Sequence, residues 1–440
     1  MLKKGKVKPK KESGKKETFQ SPKGMRDILP LEQPFWEKIR KVSRDTAESY
    51  GFLRIDTPIL EDAEVFERGV GQGTDIVEKE MFIVRTKGKD RLAMRPEGTA
   101  GIMRAYVQNG LSRMSQPLKL YYFGPMFRYE RPQAGRYRQF HQVGLEVLGG
   151  TDDSVYDAQV ITATLRLIEE LKIKNLSVRV NSIGCGNCRS AFKRNLQEYY
   201  RKRQKEVCKD CQKRISTNPM RLLDCKNEKC QEIKAQAPAI MDYLCSPCRS
   251  HFRSVLEYLD EAGIAYLPDP YLVRGLDYYN RTVFEIFAEG SDSALAGGGR
   301  YDYLAEMMGV RKGNLPAVGS SLGMERLVEA MKLQGISGLN SLKPKFFLAQ
   351  IGKPAKKKSF KLIEDFRRAG LRISESIGKD SLKAQLKVAD KEGADMALIL
   401  GQKEVFEETI IIRDMKTGAQ ETVPLERAVE EAKKKIKTSK

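Results

Sequence analysis

Period-two alternation is clearest between Arg138 and Leu148, where Val143, Leu145 and Val147 fall on one side and Gln142, Gly144 and Glu146 on the other. That pattern predicts a strand with one face in a core and a polar face that lines a pocket or meets water. Before it, Leu118 to Arg131 reads as an outgoing strand and Gln133-Ala134-Gly135-Arg136 as the turn of a hairpin. Arg128 and Glu130 share one face of the outgoing strand by parity. Upstream, Phe35, Trp36, Ile39 and Val42 recur at helical spacing and predict a helix over 33–50, followed by a short strand at 53–55.

Downstream, the pattern predicts a helix over 155–172 and a strand over 176–181. Strands are expected again at 271–274, 282–287 and 293–296, the last followed by Gly297-Gly298-Gly299-Arg300. A glycine-spaced strand then turns into an amphipathic helix over about 324–334. Gly335 to Pro344 reads as a linker. Beyond it the expected order is strand 345–351, helix 356–369, strand 371–374, helix 380–392, strands 396–400 and 408–413, and helix 424–436. Such alternation argues a separate small α/β unit.

At 440 residues the chain exceeds a single core, so several domains are expected. The divisions are a basic tail (1–20), a first α/β part (21–183), a cysteine-rich helical insertion (184–262), a second part (263–335) and the small unit at 343–436. The first 16 residues hold eight lysines and almost nothing apolar, a composition expected to stay disordered. No run approaches the ~18 apolar residues of a membrane span and no signal peptide is visible, so a soluble, cytoplasmic protein is expected. Lys+Arg 79 against Asp+Glu 58 gives 79 − 58 = +21, a balance that points to a polyanionic partner such as RNA.

The chemistry concentrates in arginines. Arg128 lies in Phe127-Arg128-Tyr129-Glu130-Arg131-Pro132, and Arg326 closes Gly319-Ser320-Ser321-Leu322-Gly323-Met324-Glu325-Arg326. Two guanidinium forks suit a polyphosphate held at both ends while its first phosphorus is attacked. Alone, Arg128 and Glu130 would read as an exposed strand ion pair, and Arg326 as a surface arginine on a glycine-packed helix. Leu272-Val273-Arg274-Gly275-Leu276-Asp277-Tyr278-Tyr279 offers a charge and two rings for a flat polar ligand. Arg95-Pro96-Glu97-Gly98-Thr99 adds a carboxylate and a hydroxyl, though Thr99 also reads as a plain helix cap. No P-loop or dinucleotide fingerprint is present. With His141 and His251 as the only histidines, a Ser-His-Asp triad is poorly supported.

All eight cysteines form four knuckles: Cys185/Cys188, Cys208/Cys211, Cys225/Cys230 and Cys245/Cys248. The spacing predicts two closed, structural Zn(Cys)4 sites. Three pairings are possible, of which a nested one (first knuckle with last, middle two together) is preferred; an iron–sulfur cluster is the main rival.

These stretches together resemble class II aminoacyl-tRNA synthetases. Leu272 to Tyr279 and Ala296-Gly297-Gly298-Gly299-Arg300-Tyr301-Asp302 narrow the resemblance to the histidyl-tRNA synthetase family, over about 20–436. The resemblance implies an antiparallel-sheet catalytic domain flanked by helices, a C-terminal α/β anticodon-binding domain, and a homodimer with the region around Pro58 in its interface. It implies that ATP, Mg²⁺, L-histidine and histidine tRNA are bound, with histidyl-adenylate as intermediate. Arg128 would hold the α-phosphate and Arg326 the γ-phosphate, with Glu130 also at the ATP. Arg274 would neutralise charge on the carboxylate and α-phosphate. Glu97 and Thr99 would meet the α-amino group, with Gln142 close to substrate and Tyr278 beside it. Glu146 and Tyr279 would read the imidazole, and Gln133 and Arg138 the 5′ end of the tRNA. The insertion is usually not metal-bearing in that family, and the lysine tail is additional. A silent paralogue, such as an ATP phosphoribosyltransferase regulatory subunit or an amino-acid sensor, is the alternative; it would be expected to lack the motif arginines and the C-terminal unit.

Overall fold

The structure is a computed structural model that describes residues 19–131, 135–291, 293–339 and 345–438. The lysine-rich run and Gln133 lie outside the described residues. The chain divides into two units, one ending at Leu339 and one beginning at Asn340.

The first unit is organised by an eight-stranded sheet. Its order is Leu53–Arg54, Leu118–Phe127, Gln139–Leu148, Ala317–Gly323, Ala296–Arg300, Asn280–Ala288, Leu176–Ser182 and Leu267–Pro268. The six inner strands are antiparallel, and the short outer ones run parallel to their neighbours. The alternation seen in the sequence sets the two faces. Val143, Leu145 and Val147 pack with Trp36 and Ile39 of helix Gln33–Ser49, Ile161 and Leu167 of helix Val155–Glu170, and Leu327 and Met331 of helix Met324–Leu333. Each such side chain contributes about 1.5–3 kcal/mol of burial, so this face fixes the sheet's register. The opposite face carries Gln142, Gly144 and Glu146 into the interior of the site.

Three expectations shift in this unit. The outgoing hairpin strand ends at Phe127 rather than Arg131, because Tyr129 N–H turns away to donate to the Glu80 carbonyl at 2.7 Å. The segment 271–274 is a loop, not a strand: Leu272 and Val273 are buried against the insertion, and the Leu272 carbonyl accepts from Asn181 Nδ2 at 2.9 Å. The strand expected at 293–296 runs instead through the glycines, Ala296–Arg300. Glycine weakens strands in general, but here it lets neighbouring strands and side chains approach closely. A smaller sheet (Leu60–Asp62, Arg91–Met94, Phe82–Arg85) and helix Ala63–Val70 precede helix Thr99–Gln108.

The insertion is helical, with helices Gly186–Arg201, Lys209–Thr217, Glu228–Lys234 and Ser246–Glu261. The second unit is a five-stranded sheet ordered Ile373–Glu375, Phe346–Gln350, Met396–Leu400, Thr409–Asp414 and Gln420–Pro424, with helices Lys353–Arg368, Leu382–Glu392 and Ala428–Thr438. Its last helix starts later than the expected 424, because 420–424 pairs as an edge strand with Thr409–Asp414. Among the described residues no helix is long and apolar enough to cross a membrane.

Candidate active site

The polar face of the large sheet forms the back of one cleft. Arg128, Glu130, Arg274, Arg326, Glu97, Thr99, Gln142, Tyr278 and Tyr279 all line it. Segments far apart in sequence thus converge on one cleft. Glu146 does not line the cleft; it lies one layer beneath. Arg138 also falls outside the lining, stacked on the Tyr129 ring at 3.7 Å.

Each guanidinium is pinned by something other than a ligand. Arg128 Nε donates to the Pro96 carbonyl at 2.9 Å, and its plane stands 5.2 Å from the Phe140 ring. Arg326 Nη1 donates to the Ala294 carbonyl at 2.7 Å. Burial, then the neighbouring Arg136 charge, weaken Arg326's hold on its proton, with Glu130 opposing and Arg128 adding to the effect. Arg274 pairs with Glu285, and its Nε is buried with no partner. It lies flat on the strand at Gly297, where an added Cβ would stand 2.5 Å from Arg274 Nη1. Glycine here is required by close approach.

The carboxylates form a second system. Glu97 accepts from the backbone N–H of Thr99 at 2.6 Å and of Ala100 at 2.9 Å, so Glu97 caps helix Thr99–Gln108. Thr99, the cap in the plain reading, instead donates from Oγ1 to Glu146 Oε1 at 2.7 Å. Tyr301 donates to the other Glu146 oxygen. Burial outweighs both bonds and raises the Glu146 carboxyl to about 8. Burial likewise lifts Glu97 above the ordinary carboxylate range. Gly319 makes room for the Glu146 carboxyl; an added Cβ there would sit on its oxygen at 1.7 Å.

Sequence reasoning did not single out several residues at the cleft. Tyr122 faces Gly144 across the hairpin register, and its hydroxyl is buried without a partner. Glu285 is the mate of Arg274. Arg136, read only as part of the hairpin tip, reaches the cleft with Glu130 at 3.5 Å. Glu325 accepts from His141 Nδ1 at 2.9 Å and from its backbone N–H, tying the Arg326 helix to the return strand. The available signal was Gly144 between two polar residues, which marks a space that something large fills. Arg300, by contrast, is not at the cleft. It is buried and pairs with Asp157 and Asp302, and burial's upward push on Asp157 is outweighed by Arg300 and His251, bringing it down to about 2.

The cysteines gather as two groups, Cys185/Cys188/Cys245/Cys248 and Cys208/Cys211/Cys225/Cys230. Sulfur–sulfur separations are 3.6 Å (185–188), 4.0 Å (185–245) and 3.8 Å (208–225). A tetrahedron with Zn–S near 2.3 Å requires edges of about 3.8 Å. Backbone N–H groups of Cys245 and Cys208 point at the Cys188 and Cys230 sulfurs at 3.2 and 3.3 Å, as thiolates would favour. The arrangement is the nested one.

Comparison with known proteins agrees with this layout. The histidyl-tRNA synthetase family profile matches residues 24–327, and an anticodon binding domain profile matches 345–435. The chain is 45% identical over 420 residues to a histidine–tRNA ligase of Dehalococcoides mccartyi, covering 95% of this chain and 100% of that protein. It is 45% identical over 410 residues to one of Desulforamulus reducens, covering 93% and 97%. The apo histidyl-tRNA synthetase of S. aureus superposes with a TM-score of 0.77 at 32% identity, over 94% of this chain and 100% of that one. The chain belongs to the histidyl-tRNA synthetase family.

Proposed function

We infer that the chain activates L-histidine with ATP and transfers it to histidine tRNA. The observation that carries this is the convergence of Arg128, Arg274 and Arg326 on one cleft beside a slot walled by Tyr278, Tyr279 and Gln142. The histidine carboxylate attacks the α-phosphorus, and pyrophosphate leaves. Negative charge grows on phosphoryl oxygens, so fixed cations lower the barrier more than proton transfer would. Arg128 meets the α-phosphate, Arg326 the γ-phosphate, and Arg274 the carboxylate and α-phosphate together. A ribose hydroxyl at the tRNA 3′ end then attacks the mixed anhydride and releases AMP.

Thr99 and Glu97 receive the α-amino group. Tyr279 and the orphaned Gln142 Oε1 face the imidazole, with Glu146 acting through Thr99. A slot with buried polar atoms left unpaired rejects amino acids that cannot complete its hydrogen bonds. Glu130 lies 3.9 Å from Arg128 and 3.5 Å from Arg136, which leaves its oxygens capacity for Mg²⁺ alongside phosphate. Mg²⁺ there would neutralise charge on the triphosphate.

Each cysteine group fits one structural zinc, with all four ligand positions taken. Residues 343–436 read the anticodon; Arg138, with Gln133, meets the tRNA 5′ end. The chain pairs as a homodimer through the edge near Pro58, where Leu53, Ile59 and Leu60 are exposed. The cytoplasm is the compartment this reading implies. ATP–pyrophosphate exchange run with each of the twenty amino acids tests the whole: histidine alone should support it, and exchange with another amino acid, or with none, removes the reading.

A further inference from the structure

The cysteine-rich insertion grips the loop that carries the substrate residues. Arg189, next to Cys188, donates from Nη1 to the Tyr279 carbonyl at 3.0 Å. Asn218, at the end of the helix that holds Cys211, donates from Nδ2 to Asp277 at 3.1 Å. Arg221, one turn before Cys225, lies against the loop's main chain, since a Cβ at Gly275 would stand 2.8 Å from its Nη1. Arg221 and Arg214 also share the Asp75 carboxylate at 3.2 and 2.8 Å. These contacts converge on Gly275 to Tyr279, a stretch without strand or helix to stiffen it.

The two phosphate arginines are held differently. Arg128 and Arg326 anchor on Pro96 and Ala294 carbonyls, neither of which belongs to the insertion. The strut from Asn218, which ends on Asp277, therefore acts on the histidine side of the cleft. Each strut also departs from a chain segment whose direction is set by a knuckle cysteine within a turn or two. Loss of metal would free those segments.

We propose that Arg189, Asn218 and Arg221 are positioning residues for histidine, and that metal bound by the Cys208/Cys211/Cys225/Cys230 group sets histidine affinity by holding Asn218 and Arg221 in place. The proposal rests on the assignment of Arg274 to Tyr279 to the histidine site. A hydrogen bond to a charged group, once removed, should shift affinity by roughly tenfold.

The test uses the full chain loaded with zinc. Asn218→Ala should raise the histidine KM in pyrophosphate exchange, and the histidine Kd by calorimetry without ATP, by roughly tenfold. The ATP KM, melting temperature and zinc content should stay as in the parent. Cys208→Ser should weaken histidine binding in the same direction, and adding Asn218→Ala to it should cost little more, because both act through one strut. Unchanged histidine affinity in Asn218→Ala and Arg221→Ala, or an equal rise in both KM values, overturns the proposal. Absence of histidine-dependent exchange in the parent chain would strike instead at the assignment of the cleft.

Discussion

The Thr99 hydroxyl donates a hydrogen bond to Glu146 Oε1 at 2.7 Å, so a cleft residue is wired to a carboxyl that is itself 1% exposed. The helix start is left to Glu97. One short segment thereby caps a helix, lines the cleft and bonds to a buried acid.

That acid gives a pH signature. An unfolded glutamate releases its proton near pH 4.3, whereas burial holds Glu146 protonated in the fold up to about 8. Between those values the folded chain binds the extra proton, so this group's contribution to stability falls as pH rises. Glu146→Gln is neutral throughout and should gain on the parent between roughly pH 5 and pH 8, by up to about 1.4 kcal/mol per pH unit. Denaturant unfolding of both proteins across that range measures it. Parallel profiles would show a carboxyl that ionises normally.

Arg274→Ala should lower histidine-dependent exchange by about 100-fold or more, since it deletes a fixed cation where charge develops. Circular dichroism should retain the parent spectrum. Near-parent exchange would take Arg274 out of the chemistry.

Arg326→Ala should raise the ATP KM by roughly tenfold while calorimetric histidine binding stays unchanged. If histidine binding weakened equally, the side chain would be holding the cleft together rather than a phosphate.

Purified protein should carry two zinc ions per chain if both cysteine groups are loaded. Cys248→Ser and Cys211→Ser should each remove one ion and spare the other. Loss of both from either single substitution contradicts two independent sites, and metal-free folded protein ends the zinc proposal.

Arg300→Met should destabilise the catalytic unit by about 3–5 kcal/mol, because it strands Asp157 and Asp302 inside. Turnover per titrated active site should hardly change. A large loss per site would give Arg300 a direct part in the reaction.

The hairpin face, the first helix and the second unit's βα order were legible because each follows one period over many residues. Leu272 and Val273 looked like a strand because apolar runs do not reveal whether their partner is a sheet or, as here, the helical insertion. The Gly297–Gly299 strand was missed for the opposite reason: its stability comes from neighbours that fit over it. The cleft arginines could be picked out one by one, but their anchors on Pro96 and Ala294 are backbone carbonyls, which no side-chain pattern announces. Tyr122 and Glu285 gave no signal of their own. Each matters only for the partner or the space that the fold brings beside it.

Gly297 and Gly319 underlie Arg274 and Glu146 like seats, and a methyl on either would unseat its occupant. The vulnerable set in this enzyme is therefore larger than the set of atoms a substrate meets. A mutational scan should find Gly→Ala at these two positions as silencing as loss of the side chains above them, and redesign toward another amino acid would have to begin with the seats.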